Sequence, residues 1–124
     1  MDNCIFCKMI SAKEYVLENK LSVALFDKFP VNKGHMLIIP KRHFSTYFDA
    51  TYEEVQAINE LAKRAKQLLD DKYSPDGYNI GINIGKDAGQ TIFHLHVHMI
   101  PRYKGDVEEP KGGIRNFKIP LIKY

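Results

Sequence analysis

His94, His96 and His98 fall within five residues, His-Leu-His-Val-His, and make up three of the five histidines in the chain. Imidazole titrates close to neutrality, so at pH 7 it can offer either a lone pair or a proton. On an extended strand a spacing of two puts the three rings on one face, with Phe93, Leu95, Val97 and Met99 on the other. Apolar residues behind and imidazoles in front describe a strand with its back in a core and its front lining a site. On a helix the same spacing would spread the rings over about 400° of arc, and no common site would form. Thr91-Ile92 before the cluster and Ile100 after it favour the strand, and Pro101 is expected to stop it.

Three imidazoles on one face have three uses. A metal site would need them to converge on one ion at about 2 Å. Alternate strand residues lie roughly 6.5–7 Å apart, so three in a row share an ion awkwardly. Half-buried polar spacers are ordinary for one histidine and out of keeping for three in register. Nucleophilic or acid–base chemistry fits better, because neutral imidazole attacks well and leaves readily, as a covalent relay requires. The loop Lys86-Asp87-Ala88-Gly89-Gln90 leads into the cluster. Gly89 permits close backbone approach, while Gln90 and Thr91 add an amide, a hydroxyl and backbone donors. Donors converging beside a nucleophile suit an anionic centre, a phosphoryl group above all.

The elements that must position this cluster are legible in outline. Leu21 to Asp27 alternates as a strand, Phe29 to Gly34 reads as a loop, and His35 to Pro40 reads as a largely buried second strand. Thr51 to about Tyr73 reads as the one long helix, opened by a Thr51/Glu54 capping box. Its apolar stripe is Val55, Ile58, Leu61, Ala62, Ala65, Leu68 and Leu69, with Glu53, Glu54 and several lysines expected on a solvated face. Ser74 to Gly77 is a turn, and Tyr78 to Ile84 alternates as another strand. Pro110 to Tyr124 is irregular. Strands with one dominant helix predict an α+β domain with a mostly antiparallel sheet, whose open edge dimerisation would cover.

Composition bounds the rest. A chain of 124 residues, 44% hydrophobic and 27% charged, suits one soluble domain. A net charge of +3 spread along the sequence makes no case for nucleic acid. The start Met1-Asp2-Asn3-Cys4 lacks the pattern of a signal peptide, and no 18-residue apolar run exists, so the expectation is a cytoplasmic protein without a membrane partner. In that compartment Cys4-x-x-Cys7 would be reduced, metal-bound or redox-active.

Residues 94 to 100 fit the pattern His-φ-His-φ-His-φ-φ, with φ apolar, and the stretch from Gly89 to Pro101 resembles the signature of the histidine triad (HIT) family. Cys4-Ile5-Phe6-Cys7, the segment Phe26 to Pro30 and the segment Gly34 to His43 agree with it in the same order. The resemblance covers residues 4 to about 106 of a single 1–124 domain, leaving 107–124 as a variable tail. It implies a HIT-like fold, an antiparallel sheet of about five strands with one long helix and a short N-terminal helix, assembled as a homodimer. It further implies hydrolysis or transfer of a nucleoside 5′-monophosphate group, adenylyl in the first instance, through a nucleotidyl-histidine on His96. His98 matches the position that hydrogen-bonds the phosphate or the bridging atom. Gln90 and Thr91 match positions that bind the α-phosphate, Asn83 one facing phosphate and leaving group, and Asp27 the acid that holds the ribose. Phe6, Ile10 and Phe26 are candidate walls for the base. Cys4, Cys7, His43 and His94 match a structural zinc set, with no organic cofactor implied, and His35 is assigned a structural role. The competing readings are a purine-nucleotide-binding regulatory module with little turnover, and a protein that uses the triad itself as its metal site.

Overall fold

The computed structural model describes residues 3–118, so the end of the tail, 119–124, lies outside the described residues. Helix α1 spans Ile5–Ser11, and its N-cap is Cys4, whose sulfur accepts the Cys7 N–H. Strands β1 (Leu17–Glu18), β2 (Ser22–Phe26) and β3 (Met36–Pro40) follow, then the long helix α2 (Tyr52–Tyr73), β4 (Gly77–Gly81) and β5 (Val97–Arg102). The five strands form one sheet in the order β1-β2-β3-β5-β4, antiparallel throughout. Among the described residues no helix is long and apolar enough to cross a membrane.

The central strands bury both faces, which is why β2 and β3 read as nearly continuous apolar runs. On one face Ala24, Met36, Ile38, Val97 and Met99 pack against Ile58, Leu61, Ala65 and Leu69 of α2. On the other, Val23, Leu25, Leu37 and Ile39 pack against Phe6 and Met9 of α1. The register sets Leu25 opposite Leu37, and Leu37 opposite His98, so these side chains form one row across the sheet on the α1 face. The triad's last histidine therefore faces the thinner of the two layers.

Several expectations need correction. The histidine strand starts later and ends later than the alternation predicts. His94 and His96 precede the ladder, and β5 runs through Pro101 to Arg102. Pro101 is tolerated because its missing N–H lies on the side where β3 has already ended. Its carbonyl on that side accepts Asn32 Nδ2 at 3.1 Å instead. Phe93 is 49% exposed while Leu95, Val97 and Met99 are buried, so the apolar row begins one step later than expected. The strand expected over 78–84 is Gly77–Gly81, and the two-residue β1 was not foreseen because so short a run carries no periodicity.

The capping box of α2 forms as expected. The Thr51 hydroxyl accepts the Glu54 N–H at 3.1 Å and the Glu54 carboxylate accepts the Thr51 N–H at 2.9 Å. Glu54 is not on a solvated face, however. It is buried, and Arg42 donates to it twice, at 3.0 and 2.8 Å. Arg42 also lies 4.2 Å over the Phe44 ring and holds the carboxylate below its usual range. This clamp fixes the 41–50 segment to the start of α2. Removing the carboxylate leaves the Thr51 N–H without its acceptor and the half-exposed Arg42 guanidinium with only the Asp49 carbonyl. Glu54→Ala is accordingly expected to lower the unfolding free energy by about 2 kcal/mol in urea titration, against about 0.5 kcal/mol or less for the exposed neighbour Glu53→Ala. Equal losses at the two positions would contradict the clamp.

Candidate active site

The row Leu25–Leu37–His98 floors a cavity of about 540 Å³. His96, His98, Asp27, Asn83 and Thr91 all line it, under apolar walls that include Phe6, Met9 and Phe29. The volume falls in the range that encloses a nucleotide-sized ligand. A second hollow of similar size, bordered by Asn3, Cys4 and Phe93, contains neither His96 nor His98.

His96 lines the cavity from the position just before β5. Its Nδ1 lies 2.9 Å from the His94 carbonyl oxygen. A carbonyl can only accept, so Nδ1 carries a proton, and in the neutral ring Nε2 is the nitrogen with the lone pair. His98 Nδ1 lies 2.9 Å from His35 Nε2, and the two rings of His96 and His98 stand 5.1 Å apart. Burial, reinforced by the neighbouring His96 and His35, pushes His98 down to about 4, with Asp27 opposing. Burial also lowers His35. His98 is therefore a neutral imidazole at pH 7.

Asp27 follows β2 directly. Its N–H donates to the His35 carbonyl at 2.9 Å, extending the β2–β3 ladder by one step. One carboxylate oxygen accepts the Phe29 N–H at 2.9 Å, and the other lies 3.5 Å from His35 Nε2. Gly89, with φ +96, is in the left-handed region that other residues avoid, and it borders the cavity beside Asn83.

Three expected site residues sit elsewhere. Gln90 is buried away from the cavity with its amide fully engaged. The oxygen accepts the Gly85 N–H at 2.9 Å, and Nε2 donates to the Ser45 and Ile92 carbonyls at 2.8 and 3.2 Å. It braces the loop that carries Gly89 and Thr91. Phe26 points to the opposite face, among the residues under α2, because its neighbour Leu25 takes the cavity side. Ile10 packs against the α1 cluster without lining the cavity. The walls Leu25, Leu37, Met9, Phe29 and Ile92 went unremarked in the sequence, where apolar residues carry no mark distinguishing wall from core.

Cys4, Cys7, His43 and His94 converge beside this cavity, each offering one ligand atom within 4.8 Å of the others. The Cys4 and Cys7 sulfurs lie 3.4 and 3.6 Å from His94 Nδ1, Cys7 Sγ lies 3.4 Å from His43 Nδ1, and the two Nδ1 atoms are 3.1 Å apart. Ligands bonded tetrahedrally to one zinc ion would stand roughly 3.3–3.6 Å apart, so this arrangement fits such an ion closely. The donor chemistry fits as well. His94 Nε2 bonds the Pro40 carbonyl at 2.8 Å, which puts its proton there and aims the Nδ1 lone pair into the cluster. Burial, with Cys4 adjacent, pushes the Cys7 thiol up, a cost that a bound cation would reverse. The triad's first ring thus faces the cysteines while the other two face the cavity, so the three do not share one ion.

Comparison with known proteins agrees with this geometry. The family model of the HIT domain matches residues 10–105. A HIT-like protein of Methanocaldococcus jannaschii is 40% identical over 123 residues, covering 96% of this chain and 95% of its own. The crystal structure of a Zn-bound histidine triad family protein from Mycobacterium smegmatis superposes with TM-score 0.77 at 34% identity, covering 85% of this chain and 78% of that one. Some relatives carry enzyme names. The asymmetrical bis(5′-nucleosyl)-tetraphosphatase of Schizosaccharomyces pombe is 36% identical over 84% of this chain and 57% of its own. An adenylylsulfatase of Arabidopsis thaliana is 31% identical over 98% of this chain and 64% of its own. With the triad, its cavity and its sheet in place and the family model matched over most of its length, the chain belongs to the HIT family.

Proposed function

We infer that this protein hydrolyses or transfers a nucleoside 5′-monophosphate group, adenylyl in the first instance, through a covalent nucleotidyl-histidine on His96. The observation that carries this reading is the hydrogen bond from His96 Nδ1 to the His94 carbonyl, 2.9 Å, which leaves Nε2 as a fixed lone pair facing the cavity. That lone pair attacks the α-phosphorus. The bond from phosphorus to the leaving group breaks, and the leaving group departs with the electron pair, hydrogen-bonded to His98. Water then attacks the same phosphorus and loses a proton to solvent, and the phosphorus–nitrogen bond returns its pair to His96. Thr91 and the Gly89 backbone serve the phosphate oxygens, Asn83 serves the leaving group, and Gln90 acts by bracing their loop. The free lone pairs of the Asp27 carboxylate suit the two ribose hydroxyls, and Phe6 with its apolar neighbours suits the base.

The cluster of Cys4, Cys7, His43 and His94 is assigned a structural zinc. These four residues would hold the ion with a complete set of protein ligands, which would tie α1 to the triad and leave no position for activating water. The relatives named for tetraphosphatase and adenylylsulfatase activities support a phosphate or sulfate leaving group. The exposed β4 edge, with Ile80 52% exposed, is proposed as the surface that a second copy of the chain covers.

Three outcomes check this reading. His96→Ala is expected to lower turnover of an adenosine 5′-phosphate diester or anhydride by about 10³-fold or more, while nucleotide affinity by calorimetry changes less than about threefold. Near-normal turnover in that variant sinks the mechanism. Cys4→Ser is expected to lower bound zinc and thermal midpoint together, and unchanged values of both remove the zinc assignment. The third concerns acid. Because burial lowers His98 from 6.5 to about 4 in the folded chain, the unfolded chain binds more protons across that interval. The contribution of His98 to stability is therefore complete above about pH 6.5 and is lost as pH falls toward 4. Urea midpoints of His98→Gln should decline less steeply between pH 7 and 5 than those of the parent, and parallel declines would contradict the assignment.

A further inference from the structure

We propose that His35 is a positioning residue that holds His98 in the tautomer with its proton on Nε2, so that His98 meets the departing group as a hydrogen-bond donor. This rests on the functional reading above and assigns His35, until now only structural, a part in it.

The argument starts from a backbone amide. The Val31 N–H can only donate, and it lies 3.1 Å from His35 Nδ1. That nitrogen must therefore carry a lone pair, which excludes the imidazolium form of His35 and places its one proton on Nε2. His35 Nε2 lies 2.9 Å from His98 Nδ1, so His98 Nδ1 is the acceptor. A neutral His98 accepting at Nδ1 carries its proton on Nε2, on the side of the ring turned to the cavity. His96 is held the opposite way, with its proton on Nδ1 toward the His94 carbonyl. Two rings 5.1 Å apart thus present a lone pair and an N–H respectively. One backbone carbonyl and one backbone amide set the difference.

Asp27 is the competing acceptor for the His35 proton, at 3.5 Å from the same nitrogen, and the shorter distance to His98 decides in favour of the ring. Asp27, His35 and His98 lie close enough together to hold a cation. The Val31 bond argues against one, because it leaves His35 Nε2 protonated and without a lone pair to give.

The loop that supplies the Val31 amide is itself fixed. Gly34, at φ +87, lets the chain turn where a Cβ would meet the Tyr73 ring at 2.8 Å. Asn32 Nδ2 donates to the Pro101 carbonyl at 3.1 Å and to Asp106 at 2.8 Å, and Asp106 is gripped twice by Arg102. The segment after the triad therefore holds the loop that sets the triad's last proton.

The test is long-range proton–nitrogen correlation NMR on the 15N-labelled full chain, which separates the two neutral tautomers of each histidine. In the parent protein His98 is expected as the Nε2–H form. In His35→Leu that preference should be lost, and in His35→Gln, whose amide can still donate, it should be retained. With adenosine 5′-phosphate esters, His35→Leu should lower kcat roughly 10²-fold for a poorly departing alcohol. The loss should be far smaller for p-nitrophenolate, with KM little changed and activity recovered in His35→Gln. An Nδ1–H form of His98 in the parent would overturn the proposal, as would a tautomer and a leaving-group dependence that His35→Leu leaves unmoved. The NMR result needs no turnover, so failure of the hydrolase reading would show as absent product with the Nε2–H tautomer still in place.

Discussion

His94 is fixed from three directions at once, and the geometry of the active centre depends on it. Its Nε2 bonds the carbonyl of Pro40 at the end of β3, and its Nδ1 points into the cysteine cluster. Its own carbonyl accepts from His96 Nδ1. Pro40 matters here because the last position of β3 lies beyond the β5 ladder, so its carbonyl is left for a side chain. The residue that completes the cysteine–histidine cluster is thus the one that orients the ring of His96, the proposed nucleophile. Buried to 0% exposure, its ring can neither rotate nor rehydrate without breaking its packing against Phe6 and His43. Its neighbours inherit that rigidity.

Burial disfavours charge on His35 and His98, and the buried floor of Leu25 and Leu37 sharpens every hydrogen bond made above it. Buried polar groups away from the cavity are paired within the protein, as in the Gln90 amide, and among the described residues no buried side-chain polar atom lacks a hydrogen-bond partner. The few groups left with free bonding capacity, such as the His96 lone pair and the Asp27 carboxylate, mark where a ligand would be met.

Local patterns in the sequence carried a good part of this. Alternation separated His94, His96 and His98 from Leu95, Val97 and Met99. The capping box placed the start of α2, and apolar runs placed β2 and β3. The cysteine–histidine cluster was not legible from spacing, because its four ligands meet only after the sheet is assembled; the family resemblance supplied it. What stayed hidden was pairing across the fold. Nothing in the residues near Glu54 announces that Arg42 buries it, and nothing near His35 announces a ring 63 positions away. The backbone partners of the Gln90 amide were hidden for the same reason, since a polar residue in a glycine loop serves a ligand or its own backbone with equal ease.

The most direct measurement is rapid quench of the intact protein with adenosine 5′-phosphate substrate labelled in the α-phosphate, followed by mapping of any bound label. The account predicts a base-stable, acid-labile adenylyl group on His96 that forms before AMP and decays as AMP appears. Product release without label on His96, or label on another residue, would contradict it.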